Sequence, residues 1–512
     1  MTGPTTGPVS GPTTAPAGVP PVARTVPELL AWRAAVHPER VAVQVHGVDE
    51  VTFAAWSAGA GAVAGALRRH GVRPGDRVGL VFGPRDWTGY AVAYCGVLRA
   101  GGVAVPLSDR LAPAQLGYAL DHCRAAAVLH GGDGAPPGTP AGLPAWPAAR
   151  LAAGDGEPFD HPVRPGDLAQ ILYTSGTTGR PKGVGASHAN LVVGAPRHPR
   201  RLSLAHSERF LHAFPIGTNA GQTMLFNALT ARPTALTLPA FTPARFARLI
   251  TTAGTGTVFV VPSIAIELLD SGALAGRDLS GVHLIGSTAA PLAPAVAARL
   301  AAAFPQATIV NYYTSTEAAP AQTTMIFDPT RREAVGRPVG GQLMIADADG
   351  RELPTGQTGD VWLRAPHPRS YYGDEAATRA TFRDGWVRMG DVGRLDADGY
   401  LHLTDRHQDV IKSGAFKVST LEIEAALHEH PQVAEAAVVG VPHPVLGSAV
   451  AAAVVTRPGT PAAEPTLPAL RAFLTGRLAD HQLPARLLVL DRLPRNEGGK
   501  VLKRQLTDQF DA

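Results

Sequence analysis

Between residues 27 and 129, three short runs, VAVQV, RVGLVF and VAVPL, alternate with stretches whose apolar residues recur at helical spacing. No other feature restricts the fold as much. Strands that alternate with helices pair in parallel, because the crossover helix returns the chain to the same end of the sheet. The fold class is therefore α/β, with a doubly wound parallel sheet. Ligands in such folds bind beyond the carboxyl ends of the strands. A chain of 512 residues exceeds one ordinary core, so two or more domains are expected.

The most informative of the strand-end loops is YTSGTTGRPKGV, residues 173–184. The apolar run 168–173 reads as a buried strand, and it gives way to small, hydroxyl-bearing residues ending at Lys182. Gly176 and Gly179 let the backbone approach a ligand closely. Thr174, Ser175, Thr177 and Thr178 add donors to a turn whose amides can cradle an anion, and Lys182 supplies a point charge. The loop is built to grip a polyphosphate. It is not a Walker A loop, because Pro181 precedes the lysine and Gly183 follows it, where that motif has Gly-Lys and then Ser or Thr. Lysine is rare here: Lys182, Lys412, Lys417, Lys500 and Lys503 are the five among 46 basic residues. It is kept where arginine, a planar fork, is not its equivalent.

Further strand-then-turn patterns follow at HAFPIGTNAGQ (212–222), TVFVVPS (257–263), VHLIGSTAAPL (282–292) and NYYTSTE (311–317). In the last, Tyr313 can stack a base, Thr316 can donate to a phosphate, and Glu317 can offer a hard oxygen to Mg²⁺. From about residue 340 the pattern becomes β-rich, and WVRMGD reads as a strand running into a turn at Asp391. A boundary falls near Asp405, and the remainder reads as α+β: helix 420–428, strands 433–439 and 449–455, helix 467–479 and strand 486–490. Its end, LPRNEGGKVLK, presents Lys500 on a glycine turn, while Lys417 and Lys503 read as solvated. Residues 1–26, rich in Pro, Thr and Gly, lack a signal peptide's basic start and apolar core and read as a disordered tail. A net charge of +4 gives no argument for nucleic acid, and no run is long and apolar enough for a membrane span. Cys95 and Cys123 fall in apolar elements as reduced core residues, which fits a cytoplasmic protein.

Taken together and in order, YTSGTTGRPKGV, YTSTE, the MGD turn, DRHQDVIKSG and PRNEGGK resemble the adenylate-forming superfamily of acyl-CoA synthetases, adenylation domains and luciferases. The resemblance runs from about residue 27 to 506. It implies a large N-terminal domain of layered α/β sheets (27–404) and a small mobile C-terminal domain (405–512) that turns about a hinge at Gln408. It also implies that a carboxylate attacks the α-phosphorus of MgATP, releasing pyrophosphate and leaving an acyl-adenylate. In that scheme residues 174–182 hold the β- and γ-phosphates. Tyr313 stacks adenine against the turn containing Ala289 and Ala290, and Asn311 bonds the base edge. Thr316 contacts the α-phosphate, Glu317 takes Mg²⁺, Asp391 and Arg406 hold the ribose, and Lys500 bridges the carboxylate and α-phosphate.

Four departures bear on the second substrate. The loop PIGTNAG, with Gly217, Thr218 and Asn219 facing the acid, has Thr218 where relatives usually place an aromatic or histidine gate. No aspartate stands nearby for an α-amine. In the acceptor channel Gly414 is followed by Ala415 where a second glycine is usual, and Thr314 replaces the glycine after the stacking aromatic. The leading reading is an ATP-dependent acid:CoA ligase of bacterial metabolism acting on a small carboxylic acid. The alternatives are a ligase with another acceptor (a carrier-protein thiol, an amine, or an unusual small acid as in diazo-forming relatives) and a noncatalytic ATP-binding regulator. The acid and the oligomeric state are not legible.

Overall fold

The computed structural model describes residues 23–154, 157–174, 180–196, 198, 201–406, 409–414, 416–459 and 465–511. Residues 1–22 of the expected tail, Ser175 to Gly179 of the phosphate loop, Gln408 and Ala415 lie outside the described residues. The expected tail ends too late at residue 26. Thr25 caps the helix Val26–Val36 in a reciprocal capping box with Glu28, and Val26 is buried.

The α/β class and the layered sheets are borne out, although the strand–helix rhythm alone read one sheet where there are two. A seven-stranded sheet runs in the order Ser370–Tyr371, Lys182–Ser187, Leu168–Thr174, Val103–Ser108, Arg77–Phe82, Ala125–His130, Ala145–Pro147. Its centre is parallel. The second, nine-stranded sheet has a parallel centre of Val41–Val45, Thr234–Thr237, Arg209–His212, Thr255–Val260, Leu284–Ser287 and Thr308–Tyr313. VAVQV therefore belongs to a different sheet from RVGLVF and VAVPL. The cause lies in the helices between them. Phe53–Arg69 and Trp87–Arg99 bury Trp56, Tyr90 and Tyr94 completely, and a helix apolar all round is stable only as an inner layer. Glycine lets these two approach: a Cβ on Gly96 would stand 2.6 Å from Val63. One large apolar cluster fills this layer and touches both sheets.

An antiparallel sheet follows, of Gln342–Ala346, Gly359–Arg364, Phe382–Arg383, Trp386–Leu395 and Leu401–Arg406. The boundary expected at Asp405 falls inside its last strand. The C-terminal unit is a five-stranded sheet of Ile411–Ser413, Phe416–Val418, Val433–His443, Gly447–Thr456 and Arg486–Leu490, with helices at Thr420–Leu427, Leu467–Leu474 and Lys503–Asp511. The helix expected over 467–479 ends at Leu474. Asp391 is not in a turn. It lies within the Trp386–Leu395 strand at a bulge, where Gly390 at φ +77° allows the ladder to continue. Lys503 is not solvated either: its amine lies 2.9 Å from Glu424 and 3.7 Å from Asp409. Burial opposes its charge, but those carboxylates outweigh it and hold its pKa above the ordinary lysine value. No described helix is long and apolar enough to cross a membrane.

Candidate active site

The strands Arg209–His212, Thr255–Val260, Leu284–Ser287 and Thr308–Tyr313 run parallel and adjacent. Their following loops therefore share one edge. Asn311 and Tyr313 lie within the last three residues of the strand and not in its loop. Asn311 is the register partner of Ser287, and both the Asn311 Oδ1 and the Ser287 Oγ are buried without a hydrogen-bond partner. A buried acceptor left unpaired is costly. An adenine amine would supply the missing donor to Asn311. Beside them, Ala289 holds φ +72° in the turn that also contains Ala290. An alanine in the left-handed region costs roughly 1–2 kcal/mol, which is strain of the kind that binding sites retain.

Tyr313 Oη donates to Asp391 Oδ2 at 2.5 Å, and Arg406 Nε lies 3.1 Å from Asp391 Oδ1. Burial first, and the adjacent carboxylate second, push the Tyr313 phenol well above its ordinary pKa, so it remains a donor. Asp391 and Arg406 face each other in register across two strands. The base-stacking and ribose-holding candidates thus form one connected group.

The strands that flank the expected phosphate loop, Leu168–Thr174 and Lys182–Ser187, belong to the other sheet, and residues 369–371 connect the two sides. Ser370–Tyr371 pairs with the Lys182–Ser187 strand. Arg369 is buried, and donates to the Thr316 carbonyl at 2.9 Å and to Asn190 Oδ1 at 3.0 Å. Burial lowers its pKa to about 10, with Tyr94 and Glu317 opposing the shift. Two residues on, Tyr371 Oη donates to Glu317 Oε1 at 3.1 Å, while the Lys182 ammonium sits 4.7 Å from the centre of the same ring. Arg369 and Tyr371 were missed in the sequence. The aromatic pair in RSYYGD, between proline-rich and glycine turns, was the only signal.

Each of the acid-facing candidates has a place in the protein's own framework. Thr218 is the N-cap of the Asn219–Thr230 helix: its Oγ1 accepts from the Gly221 amide at 3.0 Å and donates to the Pro215 carbonyl at 2.8 Å. Asn219 opens that helix. Gly217 lies against Ser108, whose amide nitrogen would be 3.1 Å from a Cβ there. The Thr314 hydroxyl donates to the Ala321 carbonyl at 2.7 Å, so its first partner is protein and not substrate. Gly414, at φ +58°, bonds the Leu446 carbonyl of its own domain at 2.9 Å.

Lys500 closes a turn in which its amide donates to Asn496 Oδ1 at 3.0 Å. That turn reaches into the large domain: Ser108 Oγ donates to Glu497 Oε1 at 2.8 Å, and a Cβ on Gly499 would lie 3.1 Å from Val261. The residue keeps solvent access, yet the protein packed about its amine lowers its pKa. Arg406 adds to that, and Asp409 and Asp391 oppose it. Among the described residues no group of three or more His, Cys, Asp or Glu could hold a metal alone. Glu317 could bind one only in company with phosphate oxygens.

Comparison with known proteins agrees with this geometry. The family described as AMP-binding enzyme matches residues 30–372, and the AMP-binding enzyme C-terminal domain matches 422–500. A feruloyl-CoA synthase of an Amycolatopsis species is 33% identical over 497 residues, covering 93% of this chain and 97% of its own. The fatty acid–[acyl-carrier-protein] ligase ScoC of Streptomyces coeruleorubidus is 31% identical over 96% and 97% of the two chains. Among solved structures, ATP-bound MatB from Rhodopseudomonas palustris superposes with a TM-score of 0.83 at 30% identity, covering 94% and 99%.

Proposed function

The chain belongs to the AMP-binding enzyme family, an ATP-dependent, AMP-forming acid ligase, and we propose how its residues divide the work. A carboxylate oxygen of the acid attacks the α-phosphorus, and the bond to pyrophosphate breaks. The acceptor thiol then attacks the acyl carbon and AMP leaves. Asn311 accepts from the adenine amine, Tyr313 and residues 289–291 enclose the base, and Asp391 with Arg406 takes the ribose hydroxyls. Thr316 and Lys500 meet the charge that develops at the α-phosphate, and Thr174 with Lys182 meets the departing pyrophosphate. Phosphoryl chemistry of this kind asks for positioning and charge stabilisation. Mg²⁺ held by Glu317 with the phosphate oxygens would neutralise charge on the polyphosphate.

The observation that carries this reading is the Lys500 turn, seated on Ser108 and Val261 of the large domain. We take the thiol to be that of CoA and the compartment to be the cytoplasm. ATP–pyrophosphate exchange across ferulic, oxalic, sulfoacetic, 2-succinylbenzoic and fatty acids tests the first step. Mass spectrometry of the responding acid with ATP and CoA tests the second. A thioester supports CoA as the acceptor. Adenylate that accumulates with CoA, and is discharged only by an acyl-carrier protein or an amine, overturns it.

A further inference from the structure

One helix of the large domain, Pro262–Asp270, meets the C-terminal domain along its whole length. At its start Gly499, next to Lys500, stands against Val261 and Ser263. In its middle, Ala265 and Ile266 share an apolar cluster with Ala434, at the start of the strand Val433–His443. At its end Asp270, only 7% exposed, accepts from Arg457 Nη1 at 2.7 Å and pairs with Arg299 of its own domain. Arg457 is itself fixed: its Nε and Nη2 donate to the carbonyls of Pro431 and Val433 at 3.0 and 2.7 Å. The far contact is rigidly tied to the near one, because Arg495 bonds Glu435 at 2.5 Å and the Gly499 carbonyl at 2.6 Å. The Val433–His443 strand thus links the arginine at one end of the helix to the lysine turn at the other.

A domain held only at its lysine turn can pivot there. The nine-residue helix separates the two contacts by about 13 Å, at 1.5 Å per residue. Together with the Ala434 contact midway, the Asp270–Arg457 pair therefore fixes an angle which the near contact leaves free. Misplacing a reacting group by about 1 Å can cost on the order of 10²-fold in rate. We propose that Asp270 and Arg457 are positioning residues for adenylation, holding the small domain so that Lys500 stays in the cleft. This rests on the role given to Lys500 above.

Asp270→Asn, which keeps shape and removes charge, is the test, with Asp270→Glu as the conservative control. The ligand-free readout is trypsin cleavage after Arg495 and Lys500, followed by mass spectrometry. Cleavage should be roughly tenfold faster in Asp270→Asn, as loss of a part-buried ion pair implies, and near wild type in Asp270→Glu. The kinetic readout uses ferulic, oxalic and 2-succinylbenzoic acids as probes. The kcat of pyrophosphate exchange should fall roughly tenfold with the KM for ATP unchanged, while thioester formation from synthetic feruloyl-adenylate and CoA is not slowed. Unchanged cleavage, or an equal fall in both half-reactions, overturns the proposal. A wild type inactive in exchange with every acid would refute the functional reading instead, and the trypsin comparison would still judge the ion pair.

Discussion

Tyr371→Phe removes one hydrogen bond and leaves the ring beneath Lys182 in place. The hydroxyl donates to Glu317 Oε1 at 3.1 Å, and burial, then Glu317 itself, keeps the phenol well above its ordinary pKa. It is thus a donor across any assay range. A bond to an ionised acceptor is worth about 1.5–3 kcal/mol. Tyr371 is only half-buried, so about 1 kcal/mol is a fair share after solvent screening. A partner that orients a metal-binding carboxylate strengthens metal binding. The free Mg²⁺ needed for half-maximal pyrophosphate exchange should therefore rise roughly fivefold, with little change at saturating metal. Tyr371→Leu, which also strips the ring 4.7 Å from the Lys182 ammonium, should raise the KM for ATP as well. An unchanged or left-shifted magnesium curve for Tyr371→Phe refutes the reasoning. Glu317→Gln is the control: if it too leaves the curve in place, the error lies in the carboxylate's assignment.

Lys500→Ala should slow adenylation by about 10²–10³ while ATP binding, followed by calorimetry, stays near wild type. Asn311→Leu removes an unpaired buried acceptor, so the ligand-free melting temperature should hold or rise, and the KM for ATP should increase several-fold as a hydrogen bond worth about 1 kcal/mol is lost. Thr314→Val loses the bond to the Ala321 carbonyl but keeps the branched wall. It should cost about 1 kcal/mol in denaturant unfolding without altering the acid range, whereas Thr314→Gly should admit bulkier acids in the exchange assay. Burial holds His188 to a pKa of about 4 and His212 to about 3, both below the usual 6.5. Histidines kept neutral in the fold stabilise it fully above pH 6.5 and lose that contribution as the pH falls through the window. For His188 alone the loss by pH 4 is about 3 kcal/mol. Urea midpoints measured across that range should fall, and more gently in His188→Asn.

What could be read in advance was what is contiguous in the chain. Strand, glycine-rich turn and lysine stand together at 168–182, and the run around Glu317 likewise carries its chemistry within a few residues. Asp391 was found but misplaced, because Met-Gly-Asp has the composition of a turn, and only the neighbouring strands show that the ladder continues through it. Thr218 was read for what its side chain lacks as a gate, when the hydroxyl is already engaged with Gly221 and Pro215. Arg369 and Tyr371 were out of reach for another reason. Their partners Asn190 and Lys182 lie nearly two hundred residues away, and only the folding of 370–371 onto the Lys182–Ser187 strand makes them neighbours. The assignment of VAVQV to the wrong sheet has a similar origin, since periodicity reports which face is apolar but not which layer covers it.

The proposed nucleotide site draws on three sheets, and its base side and phosphate side are joined through residues 369–371. Before those sheets have docked, neither half presents a complete grip. During refolding, the ability to retain ATP should consequently emerge only in the last assembly step, later than helical signal or compaction. A partly assembled chain would gain nothing from added nucleotide, because a ligand stabilises only the species that binds it. ATP should then shield the enzyme against unfolding without rescuing intermediates on the way in. Protection would be asymmetric, strong for leaving the native state and weak for reaching it.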